Sequence, residues 1–555
     1  MTMTSNAASG HPSAIQVSRR HLLAGGIAAG LGIGTLAGCS DPTKEANTAE
    51  RNVGAKLPTY TPVDLVQPDL PGNEVLMSGY YTYPRHPKRV FDKPPASGLD
   101  QIKIMYPTFV PTPPGASKNK FYAQFQDNVG CTLNIRAISS PDYPAAFQTT
   151  IAGGDVPDLC MFPRPTPDEP RVMNKLFCDL GPYLAGDAVK DFPYLAAMPP
   201  DTWRMTVSNG SVYAVPQPRP VAPQAIFVRL DLAEQLGLNP EPGGYDEFHE
   251  LMRGFTDKKA RRWASASPRP VINFIGMMLG APNNWSEEGG KFTYQLADER
   301  CIDAIQRVAG MVKEGLFHPD SASIVYDKIR TVFYAGQTGL LGDGAVGWDL
   351  FVRQLGGPVD GAKKLGMINA PKENGGGDAR HYAGTSVQAV TVIKKDLGED
   401  KTRKILNFLN FLATPIGSRE HLERKYGVEG SDFTWVDGLP TLTKMGTSEF
   451  MDVQYITDSM TTIGPGPKLG VDRQYAWHKR ASADPLRDPT VGLYSDTYSR
   501  KGATLNELIN NATNDVIYGR KPISTLTDAY QDWRKKGGDK IAAEFAESLA
   551  AESKR

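Results

Sequence analysis

The chain has 555 residues, with 61 Lys+Arg against 61 Asp+Glu and only 8 histidines. That length exceeds what one compact core organises and suits two or three domains. Formal neutrality leaves no basic field to recruit nucleic acid or an anionic surface, and the spacings of Cys39, Cys131, Cys160, Cys178 and Cys301 match no zinc or Cys-x-x-Cys pattern.

At the N-terminus Ser18-Arg19-Arg20 precedes a small, apolar run from His21 to Gly34. This has the form of an export signal, and it is too short and glycine-rich for a membrane span. The paired arginines resemble a twin-arginine signal, and Leu36-Ala37-Gly38-Cys39 resembles the lipobox of bacterial lipoproteins. Residues 1–38 are therefore expected to be a twin-arginine-like lipoprotein signal peptide, with Cys39 the lipidated first residue of the mature protein. Two acyl chains, at about 0.8 kcal/mol per buried methylene, suffice for stable anchoring to the outer face of the cell membrane. Residues 39–98, polar and proline-rich, are expected to be a tether and N-terminal extension, with Tyr80-Tyr81-Thr82-Tyr83 already on the folded body.

An α/β rhythm then begins. Ile102, Ile104 and Tyr106 alternate as a strand; Phe121, Phe125 and Val129 share a helical face; Leu133, Ile135 and Ala137 alternate again. Tyr143, Phe147 and Ile151 mark a second helix, which Gly153-Gly154 can stop in the left-handed region. Asp155-Val156-Pro157-Asp158 feeds a short apolar strand. Such alternation implies a mostly parallel sheet covered on both faces, with ligands outside the carboxyl ends of its strands. Cys160 and Cys301 sit in apolar patterns and are expected as buried free thiols. A disulfide stays open outside the membrane, although a chain folded before twin-arginine export needs none.

Gly154-Asp155-Val156-Pro157-Asp158 and the strand after it resemble the loop of extracellular solute-binding proteins of the carbohydrate-importing type, the group that includes maltose-binding protein. The resemblance continues in order. Val207-Ser208-Asn209-Gly210-Ser211-Val212 is similar to a hairpin before the first hinge crossing, and Phe227 to Leu238 to the strand and helix after it. Tyr245-Asp246-Glu247-Phe248 opens a helix with Phe248, Leu251, Met252 and Phe255 as its stripe; Phe333 to Gly342 leads to an aromatic at the cleft, Trp348. Ile368-Asn369-Ala370-Pro371 and Thr385 to Val392 look like strands returning to the first lobe. In the C-terminal part, Leu505, Leu508, Ile509, Ala512 and Val516 form one stripe, and Leu526, Ala529, Tyr530 and Trp533 another, after a Ser524 cap.

The resemblance implies a two-lobed, periplasmic-binding-protein-like α/β fold, each lobe a mostly parallel sheet flanked by helices, joined by hinge strands. Lobe 1 is expected over 99–218 and 351–418, lobe 2 over 219–350, and 419–555 mainly in lobe 2 and C-terminal helices. It implies the substrate-binding component of an ABC importer, monomeric, which closes on a carbohydrate, an oligosaccharide for a chain this long, and presents it to permease subunits. Sugars stack on flat rings and need fixed donors and acceptors. By correspondence the ligand residues are Arg219, Trp285, Asp343, Trp348, Tyr382 and Trp435. No cofactor is implied. Some long relatives carry a calcium loop after the helix at 245–256, but Thr256-Asp257-Lys258-Lys259-Ala260-Arg261-Arg262-Trp263 offers one carboxylate among four cations, so no metal is expected there.

Two rival readings stand beside this one. A secreted glycosidase or lyase would need two carboxylates across the scissile bond, and carboxylates are plentiful; no nucleophile elbow, metal-binding histidine pair or phosphate loop accompanies them. A sugar-sensing lipoprotein on the same fold is the other, since fold does not fix function.

Overall fold

The structure, a computed structural model, describes residues 47–553. Arg19, Arg20 and Cys39 lie outside the described residues. The principal strands are β1 (Gln101–Thr108), β2 (Thr132–Ser139), β3 (Leu159–Phe162), β4 (Val215–Pro218), β5 (Gln224–Arg229), β6 (Trp263–Ser265), β7 (Thr338–Gly344), β8 (Leu365–Ile368) and β9 (Val387–Ile393). They form a five-stranded sheet ordered β2-β1-β3-β9-β4 and a four-stranded sheet ordered β8-β5-β7-β6. In the first, β1 runs parallel to β2 and β3, and β9 is antiparallel to β3 and β4. In the second, β6 is parallel to β7, and β5 is antiparallel to β7 and β8. Each sheet carries its own core, so the body has two lobes.

The alternating residues of the sequence meet in register: Ile102, Ile104 and Tyr106 stand opposite Leu133, Ile135 and Ala137. The helix Lys120–Val129 buries Phe121, Phe125 and Val129, and its cap Asn119 accepts a hydrogen bond from the Tyr122 amide. The helix Tyr143–Ala152 buries Tyr143 and Phe147, with the left-handed turn after it on Gly154 (φ 76°) rather than Gly153. In the Gly154–Asp158 loop, Asp158 is buried, accepts from the Lys103 amide (2.9 Å) and pairs with Lys401 (2.9 Å). Its carboxylate thus ties the loop to β1, which accounts for an aspartate there. The hairpin turn at Asn209-Gly210 is left-handed at both residues (φ 51° and 78°), as a tight two-residue turn requires.

Neither sheet is mostly parallel as expected: half the pairings of the first and two of the three in the second are antiparallel, because neighbouring strands that enter and leave the crossings between the lobes run in opposite directions. Three further expectations change. Leu365–Ile368, expected to return to the first lobe, pairs along β5 in the second sheet, because helices 348–354 and 358–364 before it pack beside Phe227 and Leu341 and deliver it to that edge. Residues 419–456, expected mainly in lobe 2, sit with the first: Met451, Val453 and Ile456 enter its core beside Phe408 and Phe411. Ser524 is inside the first turn of its helix, Ile523 occupying the cap, because Thr525 and Leu526 already bond back to Pro522 and Ile523. The last helices, Asp496–Ile517, Ser524–Trp533 and Asp539–Glu552, complete the second-lobe core through Leu505, Ile509, Trp533 and Phe545. The four described cysteines are unpaired, Cys160 and Cys301 buried; desolvation pushes the Cys301 thiol up to about 12.

The proline-rich residues before 99 are part of the body from residue 47 onward. They form few regular elements, yet their amides are satisfied elsewhere: Tyr80 donates to the Ile463 carbonyl (2.9 Å) and Lys88 to that of Gly417 (3.1 Å). Tyr83 is buried with its hydroxyl 2.8 Å from His421 Nδ1. Glu420, fully buried, accepts from the amides of Val90 (3.1 Å) and Phe91 (3.0 Å). The Glu420→Ala variant strands these donors and should lower unfolding free energy by about 1–3 kcal/mol. Urea denaturation checks this; an unchanged midpoint would mean the segment is not held by that carboxylate.

Candidate ligand-binding cleft

The chain crosses between the sheets first at 219–223 and returns at 382–386, and the two crossings bond to each other. Arg219 N donates to Ser386 O and Gly384 N to Val221 O, both at 2.9 Å. A third passage follows, where Thr457 Oγ1 donates to Pro216 O (2.7 Å). Two cavities flank these crossings. The smaller, about 340 Å³, lies at the carboxyl ends of β1 and β3, lined by Pro107, Phe109, Met161 and Pro163, with Gln217 and Tyr455 from the hinge side. The larger, about 1110 Å³, lies between the lobes: Arg164, Glu169 and Met205 face Arg269, Asn273 and Trp285 across it. Arg164, Met205 and Thr385 line both, so they are parts of one cleft, outside the strand ends as an α/β sheet places its ligand site.

The second-lobe wall is aromatic. Trp285 begins the hairpin Trp285–Glu288/Lys291–Tyr294, and its indole packs on Tyr294, Phe545 and Trp533 at centroid distances of 5.3, 5.4 and 5.8 Å. Tyr294 in turn stacks on Trp533 at 4.5 Å. Tyr498, 37% exposed, is the most open ring of the wall. Tyr382 lines the same cavity from the second crossing and donates to Ala281 O (3.1 Å).

Of the residues inferred from sequence, the larger cavity brings together Trp285 and Tyr382. The other four line neither cavity. Arg219 is folded into the hinge, donating to Pro218 O (3.0 Å) above the ring of Tyr455; burial lowers its pKa, partly offset by Tyr455, Asp458 and Asp452. Asp452 beside it is pushed up to about 6, chiefly by burial. Asp343, at the end of β7, is buried and already satisfied, accepting from Tyr326 (2.5 Å), Arg330 (2.8 Å) and the Gly344 amide (2.7 Å). Trp348 is 2% exposed, packed in the core around Phe227 and Phe351. Trp435 lies in a hairpin against Tyr83 and Phe433, its indole donating to Glu429 (3.0 Å) under Arg85.

Sequence reasoning missed Arg164, Arg269, Asn273, Tyr294 and Asn510. One signal for two of them was available: Arg269 and Asn273 are four residues apart on the helix Pro268–Met278, opposite the buried Val271, Phe274, Ile275 and Met278. The Asp257 turn uses its carboxylate locally, accepting from the amides of Lys259 (3.0 Å) and Ala260 (3.1 Å). Among the described residues no group of three or more His, Cys, Asp or Glu is placed to share a metal ion.

The rim of the cleft is bridged. Arg204, on the first lobe, lies 3.7 Å from Glu552 on the last helix of the second. The helix Ala49–Val53 packs on that same last helix, while Arg51 donates to Asn209 O (2.9 Å) and Asn52 accepts from the Gly210 amide (2.9 Å) of the first-lobe hairpin.

Sequence and structure comparisons agree with this architecture. The profile of the family described as bacterial extracellular solute-binding protein matches residues 110–417. Lipoprotein LipO of Bacillus subtilis (strain 168) is 22% identical over 474 residues, covering 80% of this chain and 92% of that protein. The polygalacturonan/rhamnogalacturonan-binding protein YtcQ of the same organism is 24% identical over 393 residues, covering 66% of this chain and 75% of its own. The crystal structure of alginate-binding protein AlgQ2 without calcium ion superposes with a TM-score of 0.59 at 17% identity, over 83% of this chain and 99% of that one; at such identity the likeness speaks for the fold.

Because Trp285 is both cavity wall and core, 6% exposed, the Trp285→Ala variant should lose about 3–5 kcal/mol of stability without any ligand present. Thermal unfolding of the unliganded protein reads this; a melting curve like that of the wild type would mean the indole packs loosely.

Proposed function

This chain belongs to the bacterial extracellular solute-binding protein family, and on that premise we propose that it is the lipid-anchored receptor of an ABC importer, holding an oligosaccharide between its lobes. The observation that carries the carbohydrate assignment is the composition of the larger cavity. One wall is rings, Tyr294, Tyr498 and Trp285, and beside them stand amides of Asn273 and Asn510 that the protein's own groups leave unbonded among the described residues. Flat apolar faces next to uncommitted donors and acceptors suit a pyranose, whose C–H faces stack while its hydroxyls bond. The names of the relatives YtcQ and AlgQ2 record saccharide ligands as well.

Binding proceeds by relative movement of the lobes about the three crossings. A ligand touching both walls favours the closed arrangement only by its extra affinity for it. The closed, monomeric receptor then offers its surface to the permease subunits. Arg19-Arg20 and Leu36-Ala37-Gly38-Cys39 support export by a twin-arginine-like route and acylation at Cys39, and the relative LipO carries the name lipoprotein. Among the described residues no helix is long and apolar enough to cross a membrane.

A thermal-shift screen of the purified full chain against neutral and acidic oligosaccharides tests the ligand class. A binder at a hundred times its dissociation constant should add about 2.7 kcal/mol of stability. If peptides or polyamines shift the curve and no saccharide does, the carbohydrate reading fails. For the anchor, the Cys39→Ala variant should move from the membrane to the soluble fraction after export; retention on the membrane would remove Cys39 from the role.

A further inference from the structure

The helix Pro268–Met278 buries one face in the second-lobe core and turns the other, with Arg269 and Asn273, to the larger cavity. The helix Asp496–Ile517 contributes Asn506 and Asn510 at the same four-residue spacing. Residues so spaced share a helix face, so a polar stripe on each helix lines this part of the cleft.

The charges around the cavity are nearly all committed. Arg164 is held by Glu169 at 2.6 Å. Arg204 lies between Asp201 (3.5 Å) and Glu552 (3.7 Å). Asp488 accepts from Asn284 (3.1 Å) and from Thr490 (2.7 Å), and burial keeps His381 neutral, its pKa lowered to about 4. Arg269 differs: among the described residues no carboxylate lies within ion-pair reach of it and its guanidinium makes no hydrogen bond. Its side chain is exposed to the cavity, whose walls still desolvate it enough to lower its pKa, partly offset by the phenols of Tyr294 and Tyr518. Asn273 and Asn510, which line the same cavity, are equally uncommitted.

An arginine that faces the cavity with no carboxylate of the protein in reach leaves its donors open to a guest. The guanidinium presents planar, paired donors whose geometry matches a carboxylate. We infer that Arg269 selects an acidic saccharide, its guanidinium receiving the carboxylate of a uronic-acid unit while Asn273 and Asn510 bond that unit's hydroxyls. The inference rests on the carbohydrate reading above and narrows it to one chemical class at one named residue. Arg219 and Arg229 do not compete for this role: the first is folded into the hinge, and the second is spent on Asp231 (2.7 Å) and the Phe333 carbonyl (2.9 Å).

The test is calorimetric titration of the full chain with trigalacturonate, trimannuronate and the neutral trisaccharides obtained by reducing their carboxyl groups. At least one uronate should bind, and its reduced counterpart should bind about 10- to 100-fold more weakly, the range expected for losing a charge-assisted hydrogen bond. R269Q should lose a similar factor toward the uronate and little toward neutral sugars. A second variant guards against misfolding: N273D places a carboxylate four residues along the same face, where it pairs with Arg269 and should weaken uronate binding while the unliganded melting temperature holds. If neutral saccharides bind and uronates do not, or if R269Q binds the uronate as the wild type does, the inference is overturned and the carbohydrate reading survives. If no saccharide of either kind binds, both fall.

Discussion

The close approach of two backbone crossings governs the rest of the structure. At Gly384 a Cβ would stand 2.7 Å from the ring of Pro223, so only glycine lets the returning segment lie against the outgoing one and exchange the hydrogen bonds between 219 and 386 and between 384 and 221. This contact sets the ends of two sheets opposite each other. Once the strand ends face one another, loops and hairpins must wall the space between, and a cleft results. Two thin crossings and a third strand of contact at 457–461 also leave the lobes few shared core residues, which is what permits relative motion.

Within that frame, the buried carboxylates differ from the exposed polar groups of the cavity wall. Asp158, Asp343 and Glu420 are each met by several donors, and their work is to bind one backbone segment to another, since a buried carboxylate without partners is costly. Arg269, Asn273 and Asn510 point into the cavity with nothing from the protein to satisfy them. Uncommitted polar groups beside packed rings are what the proposed ligand site has and those carboxylates lack.

The N-terminal residues show how composition can mislead. Residues 47–98 have the proline content of a tether, yet their donors and tyrosines find partners on the helices and loops of both lobes. The helix Ala49–Val53 lies at the cleft rim, between the first-lobe hairpin and the last helix.

Local pattern in the sequence determined the elements: alternation marked β1 and β2 as strands, four-residue apolar spacing gave the helices of both lobes their buried faces, and Asn209-Gly210 gave the hairpin turn. These were legible because each depends on neighbours within a few residues, and the motif order was enough to indicate two lobes and a cleft. Tertiary structure alone decided which sheet β8 joins and which side chains face the cavity. Trp348 and Asp343 lie near strand ends, as a ligand residue would, but the core around Phe351 and the guanidinium of Arg330 claim them. Arg269 reads as an ordinary solvated helix residue until the C-terminal helices, more than two hundred residues away in the chain, close the wall around it. Periodicity reports that a face is polar; whether that face meets water or a guest depends on what the distant chain brings opposite it.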